Sequence, residues 1–219
     1  MQVLHLDSSI LGDASASRIL TAAIVDELRR DNPGATVIHR DLAVEAIPHL
    51  DGAIAAGFRA TGADGFDAVT LAEHARSEAL VGELLASDVI VVGAPMYNFS
   101  VPSQLKAWID RVAQAGRTFK YTETGPVGLT GGKKVIVAST RGGMYSAGPT
   151  AAMDFQEAYL KTVFGFLGIT DVQFVRAERL AMGPDARAQA LEAAHAAMHD
   201  VVNLSLIHIS EPTRRDGAS

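Results

Sequence analysis

Two hydrophobic patterns alternate along this chain. Short β-type runs, VLHL (3–6), ATVIHRDL (35–42), DVIVVGAP (88–95), KKVIVAST (133–140) and DVQFVRA (171–177), are separated by stretches whose apolar residues recur at helical spacing. From about Ser17, Ile19, Leu20, Ile24 and Leu28 share one helical face, and Asn32-Pro33-Gly34 breaks that helix before the second strand. A later helix starts at Pro102, where a first turn tolerates proline, and carries Leu105, Trp108, Ile109 and Val112 on one face. Residues 67–86, 150–167 and 184–203 read as further helices, and the Gly- and Ala-rich residues 51–66 as a loop or a short helix. DVIVVGAP and KKVIVAST show no polar alternation, as befits strands covered on both faces of a parallel sheet. Strands alternating with helices predict an α/β fold, a five-stranded doubly wound parallel sheet in a three-layer sandwich.

Length and charge narrow the range of functions. A chain of 219 residues, 48% hydrophobic, supports one well-cored domain. Its net charge of −6, with both signs intermixed, offers no basic footprint for nucleic acid and no polybasic face for a membrane surface. The absence of cysteine removes disulfides, thiol nucleophiles and cysteine zinc sites, and suits a reducing compartment. No leader pattern precedes the first strand, and the longest apolar runs are too short to span a bilayer, so the expected location is the cytoplasm. The final stretch, LSLIHISEPTRRDGAS (204–219), leaves the helical pattern for a β-type run and then charges. Through LSLIHISEPTR it resembles the conceptual translation of a transposon-type sequencing adapter, so residues 1–203 are taken as the domain and 204–219 as a non-native tail. Arg214 and Arg215 cancel Glu211 and Asp216, which leaves the −6 with the domain.

In an open α/β sheet ligands bind beyond the carboxyl ends of the strands, and three such ends carry chemistry. After the first strand, DSSILGDASAS places Ser8, Ser9, Ser15 and Ser17 ahead of a helix whose first amides are free to hold a phosphate. The same serines suit helix capping, so that loop alone leaves both roles open. After the third strand comes PMYNF (95–99), and after the fourth TRGGMYSAGP (140–149), where Gly142 and Gly143 permit close backbone approach or positive φ. At one edge of one sheet, the three loops describe a pocket for a phosphorylated planar cofactor. GLTGGKK fails the phosphate-loop register at Val127 and Lys134, and neither a dinucleotide fingerprint nor a hydrolase elbow is present. His195 and His199 are spaced for one helical face but lack a third ligand, so no metal site is expected of them. His5 reads as a core or edge residue, and Trp108 as packing in the core or across a subunit interface.

Residues 95–146, with PMYNF, KYTETGP and RGG in order and at suitable separations, resemble the FMN-dependent NADH azoreductases, which also reduce quinones. With SSILGDASAS and the element order, the resemblance spans about residues 1–203. It implies a flavodoxin-like fold, a homodimer and non-covalent FMN, with NADH as electron donor. It implies that Ser9, Ser15, Ala16 and Ser17 hold the FMN phosphate, and that Met96, Tyr97, Asn98 and Phe99 line the isoalloxazine. Thr140, Arg141, Gly142 and Gly143 would meet its polar edge, and Phe119, Tyr121 and residues 51–66 would border the substrate pocket. Thr140 stands where the family commonly has Ser, and Asp7 where it often has Lys. The implied reaction is ping-pong hydride transfer from NADH through flavin N5 to a quinone or azo compound, and cleaving an azo bond to amines takes two such cycles. The chemistry resides in the cofactor, so no dedicated catalytic side chain is expected. The contrasting expectation is a flavodoxin-like carrier or regulatory flavoprotein without NADH turnover; the chain is longer and less acidic than such carriers.

Overall fold

The computed structural model describes residues 1–58 and 65–207. Its central sheet contains β1 (Gln2–Asp7), β2 (Thr36–Asp41), β3 (Val89–Pro95), β6 (Lys134–Thr140) and β7 (Asp171–Ala177), all parallel, in the order β2-β1-β3-β6-β7. The strand order reverses beside β1, so the crevice rule selects the carboxyl ends of β1 and β3. Two-residue alternation along the strands feeds two cores. Leu4, Leu6, Ile90, Val92, Val135 and Val137 face one side, and Val3, Val89, Val91, Ile136 and Ala138 face the other.

The first core is covered by α3 (Ala68–Ala86), α4 (Ser103–Val112) and α5 (Gln156–Leu167), the second by α1 (Ala16–Asp31) and α6 (Pro184–Ile207). This is the expected three-layer sandwich. Each fully buried Leu or Ile in these layers contributes roughly 1.5–3 kcal/mol. Trp108 is wholly buried in the first core of a single chain, so its packing needs no subunit partner. The Gly- and Ala-rich segment forms a short helix, α2 (Gly52–Ala56), capped by Asp51 through the amide of Ile54; Asp64 and the rest of residues 59–64 lie outside the described residues.

Two boundaries and one added element depart from the pattern-based reading. Helix α5 starts at Gln156, not near residue 150, because Asp154 Oδ1 accepts the amide of Gln156 at 2.9 Å and leaves 151–153 as a single 3-10 turn. Helix α6 runs to Ile207, four residues into the stretch expected to turn β-like, as extending a formed helix costs less than starting another element. Residues 208–219 of that tail lie outside the described residues. The third departure is a two-stranded antiparallel hairpin, β4 (Phe119–Thr122) and β5 (Gly125–Gly128), with Phe119 buried against Phe166 and Tyr121 exposed.

Candidate cofactor site

The β1 end is fixed before any ligand is considered. Ser8 Oγ donates to the carbonyl of Gly93 at 2.6 Å, and Arg18 Nη2 donates to the carbonyl of Ser9 at 2.9 Å while its guanidinium pairs with Asp41. Burial opposes the charge on Asp41, but the stronger hydrogen bond from Arg18 holds its carboxyl below the ordinary range. Ser15 is the N-cap of α1: its Oγ accepts the amide of Arg18 at 3.3 Å and lies 3.0 Å from Ser17 Oγ. The capping role left open by the sequence is therefore real. It uses one of the helix's free donors, and the amides of Ala16 and Ser17 have no partner among the described residues.

At the β3 end, Tyr97 and Ser100 exchange backbone hydrogen bonds of 3.0 and 3.1 Å around Asn98 and Phe99, whose φ values are 48° and 72°. Paired bonds around two successive positive φ values define a type I′ turn, which Asn suits and Phe does not. The turn is held from outside by the amide of Phe155, which donates to the Phe99 carbonyl at 3.0 Å. Tyr97 turns its hydroxyl across to β1, 3.3 Å from Ser9 Oγ and 3.2 Å from the amide of Ile10. Asn98→Gly should leave stability within about 1 kcal/mol of the parent, whereas Asn98→Val should cost a further 1–2 kcal/mol or so because a β-branched residue resists this region. Equal melting midpoints for the two variants would contradict the turn assignment.

At the β6 end, Gly142 and Gly143 do not adopt positive φ. They are small because the chain is crowded: a Cβ on Gly142 would lie 3.3 Å from Ala181 Cβ, and one on Gly143 3.1 Å from the Tyr145 ring. Their carbonyls accept the amides of Ala181 and Arg179 at 3.0 and 2.8 Å, which laces this loop to the β7–α6 connection. The Arg141 side chain is fully buried, with Nη2 2.7 Å from Asp154 and 2.8 Å from Glu157, while its Nε and Nη1 make no hydrogen bond among the described residues. Glu178 accepts the amides of Tyr145 and Ser146 at 2.7 and 2.9 Å; burial works against its charge, but these bonds and Arg141 keep it below its ordinary pKa.

The three strand ends meet in one cleft of about 270 Å³. Ser9, Ser15 and Ala16 line it from β1 and α1, Met96 and Tyr97 from β3, and Thr140, Arg141 and Gly142 from β6. Ser17 is buried behind Ser15, Phe99 stands edge-on to Tyr145, and Gly143 lies behind Gly142 in the chain; none of the three lines the cleft. Asn98 lines a neighbouring cleft of about 490 Å³ that shares Tyr97 as a wall. Phe119 and Tyr121 line neither. Leu180, Ala181 and Arg187 complete the first cleft from residues that carry no motif. Arg187 Nη2 donates to the Ala14 carbonyl at 2.8 Å, which brings a cation to the serine loop across most of the chain length. The free amide of Ala16, the hydroxyls of Ser9 and Ser15 and a guanidinium at one end, and a slot between two backbone loops at the other, fit a phosphate monoester joined to a flat ring.

A family model described as flavodoxin-like fold, Flavodoxin_2, matches residues 1–202. The chain belongs to this family. Among curated flavodoxin-like relatives, the FMN-dependent NADH:quinone oxidoreductase of Ralstonia nicotianae is 98% identical over 206 residues, covering 94% of this chain and 99% of that one. FMN-dependent NADH:quinone oxidoreductase 2 of Xanthomonas euvesicatoria pv. vesicatoria is 61% identical over 202 residues, covering 92% and 94%. Among solved structures, an azoreductase from Bacillus anthracis superposes with a TM-score of 0.82 at 31% identity, covering 93% of this chain and 99% of that one. An FMN-dependent NADH-azoreductase from the same species, solved in complex with FMN, gives a TM-score of 0.84 at 25% identity, covering 93% and 98%. These flavodoxin-like relatives span the domain that carries the cleft.

Proposed function

We propose that this flavodoxin-like protein is an FMN-dependent NADH:quinone oxidoreductase that also reduces azo compounds. The convergence of the β1, β3 and β6 ends on one cleft, with Ser9, Ser15 and the unpartnered helix amide of Ala16 at its polar end, carries this reading. Ser9, Ser15, Ala16 and Ser17 would hold the phosphate of non-covalent FMN, with Arg187 adding a positive charge. Met96 and Tyr97 would form one wall of the ring slot, Thr140, Arg141 and Gly142 the other, and the Asn98-Phe99 turn would set the position of the first wall. FMN, when bound, would supply the two-electron chemistry for hydride transfer between NADH and a quinone or azo acceptor, in ping-pong order. The protein's part is orientation, hydrogen bonding and exclusion of water, the last helped by Leu11 and Leu180 at the cleft.

A homodimer in the cytoplasm belongs to the same proposal. Ile10, Leu11, Phe99 and Phe155 are exposed near the second cleft, an apolar surface suited to a second copy. No helix among the described residues is long and apolar enough to cross a membrane. The test is direct: purified protein should be yellow, should bleach with NADH, and should recover its colour when a quinone is added. Sedimentation of the same sample should give twice the chain mass. Protein that takes up no FMN would sink the proposal, bound flavin that NADH never reduces would favour an electron carrier, and a monomer would remove the dimer.

A further inference from the structure

The parallel register of β1 and β2 sets His5 opposite His39, with ring centroids 4.3 Å apart, and Asp7 stands two residues along on the same face as His5. His5 Nε2 lies 3.2 Å and His39 Nε2 3.0 Å from the same oxygen, Asp7 Oδ2, and the three ligand atoms are all within 4.8 Å of one another. We propose that His5, Asp7 and His39 bind one divalent transition-metal ion of the zinc class, at a site separate from the proposed flavin cleft.

Four observations support the assignment. Ligand atoms of a tetrahedral zinc centre with bonds of about 2.0–2.1 Å are roughly 3.3 Å apart, close to the two histidine–carboxylate separations. The carboxylate is oriented by its other oxygen, since Thr21 Oγ1 donates to Asp7 Oδ1 at 2.8 Å, as an outer hydrogen bond orients a metal ligand. His5 is only 8% exposed, and its Nε2, 3.2 Å from Asp7 Oδ2, makes no hydrogen bond of good geometry, a need that a metal ion held between the two would meet. The His39 side chain is 48% exposed, which provides an entry path and a side open to water as fourth ligand. Two imidazoles and one carboxylate suit a borderline cation better than calcium or magnesium, which prefer all-oxygen shells.

The ion would join β1, β2 and, through Thr21, α1 at the base of the serine loop. Equilibrium dialysis of Zn²⁺ against the untagged, chelator-stripped full-length protein should give one saturable equivalent. His39→Gln should remove it, and Thr21→Val should weaken it by about 10–100-fold. The double variant His195→Gln, His199→Gln, on α6, should bind like the parent. No saturable equivalent in the parent would overturn the site, as would unchanged binding in His39→Gln or loss of binding in the α6 double variant.

Discussion

Ser15→Asp is expected to cost the protein its FMN while leaving the fold as stable as the parent. Ser15 caps α1 from an extended conformation, φ −74° and ψ 122°, with its side chain accepting the amide of Arg18. Asp caps as well as Ser and adds a favourable charge at the positive end of the helix, so capping alone predicts no loss. A phosphate held by the Ala16 and Ser17 amides would then face a carboxylate. Like charges about 4 Å apart in a surface cleft repel by about 4 kcal/mol, roughly a thousandfold in Kd. Ser15→Asn, with the same shape and no charge, should lose far less. Flavin fluorescence titration with thermal melts of the apoproteins would check both, and an Asp variant binding FMN within tenfold of the parent would place the phosphate elsewhere.

That experiment addresses what pattern reading left undecided at Ser15, where capping and phosphate binding use the same residue. The sheet was legible because β3 and β6 are buried along their whole length, which requires unbroken apolar sequence. The site was legible in outline for a related reason: in a parallel sheet all loops after strands open on one edge, so three chemically distinctive loops had to be neighbours. The hairpin of β4 and β5 escaped because it is mostly exposed and rich in Gly and Thr, leaving no alternation to read. Arg187 escaped for a different reason: its place beside Ala14 depends on how α6 packs against α1. The Arg141 side chain could not be assigned either, because RGG in sequence does not reveal that Asp154 and Glu157 lie beneath the loop. The histidine–aspartate cluster becomes visible only with the β1–β2 register.

Arg141→Met should destabilise the protein by about 3–5 kcal/mol at neutral pH, the cost of leaving buried charges without their partner. Arg141 is fully buried and joins Asp154 and Glu157, and its Nη1 is 3.7 Å from Glu178. Asp154 also anchors the first amide of α5, while Glu178 anchors Tyr145 and Ser146, so one guanidinium holds the glycine loop from three sides. Burial raises the Glu157 carboxyl, yet its hydrogen bonds to Arg176 and Arg141 prevail and keep it below its ordinary value. A depressed folded-state pKa contributes stability above the unfolded value of about 4.3 and loses it as pH falls through the folded value. Without Arg141, Glu157 keeps only Arg176 and Glu178 only its bonds from Tyr145 and Ser146, so the variant lacks part of this stabilisation. The gap between parent and variant should therefore be widest near about pH 7 and narrower at about pH 3, where these carboxyls take up protons. Urea unfolding at both pH values measures it. A deficit under about 1 kcal/mol at neutral pH, or a gap that does not change with acid, would mean that Asp154, Glu157 and Glu178 do not depend on this cation, and that the loop is held by its backbone bonds to residues 179–181 instead.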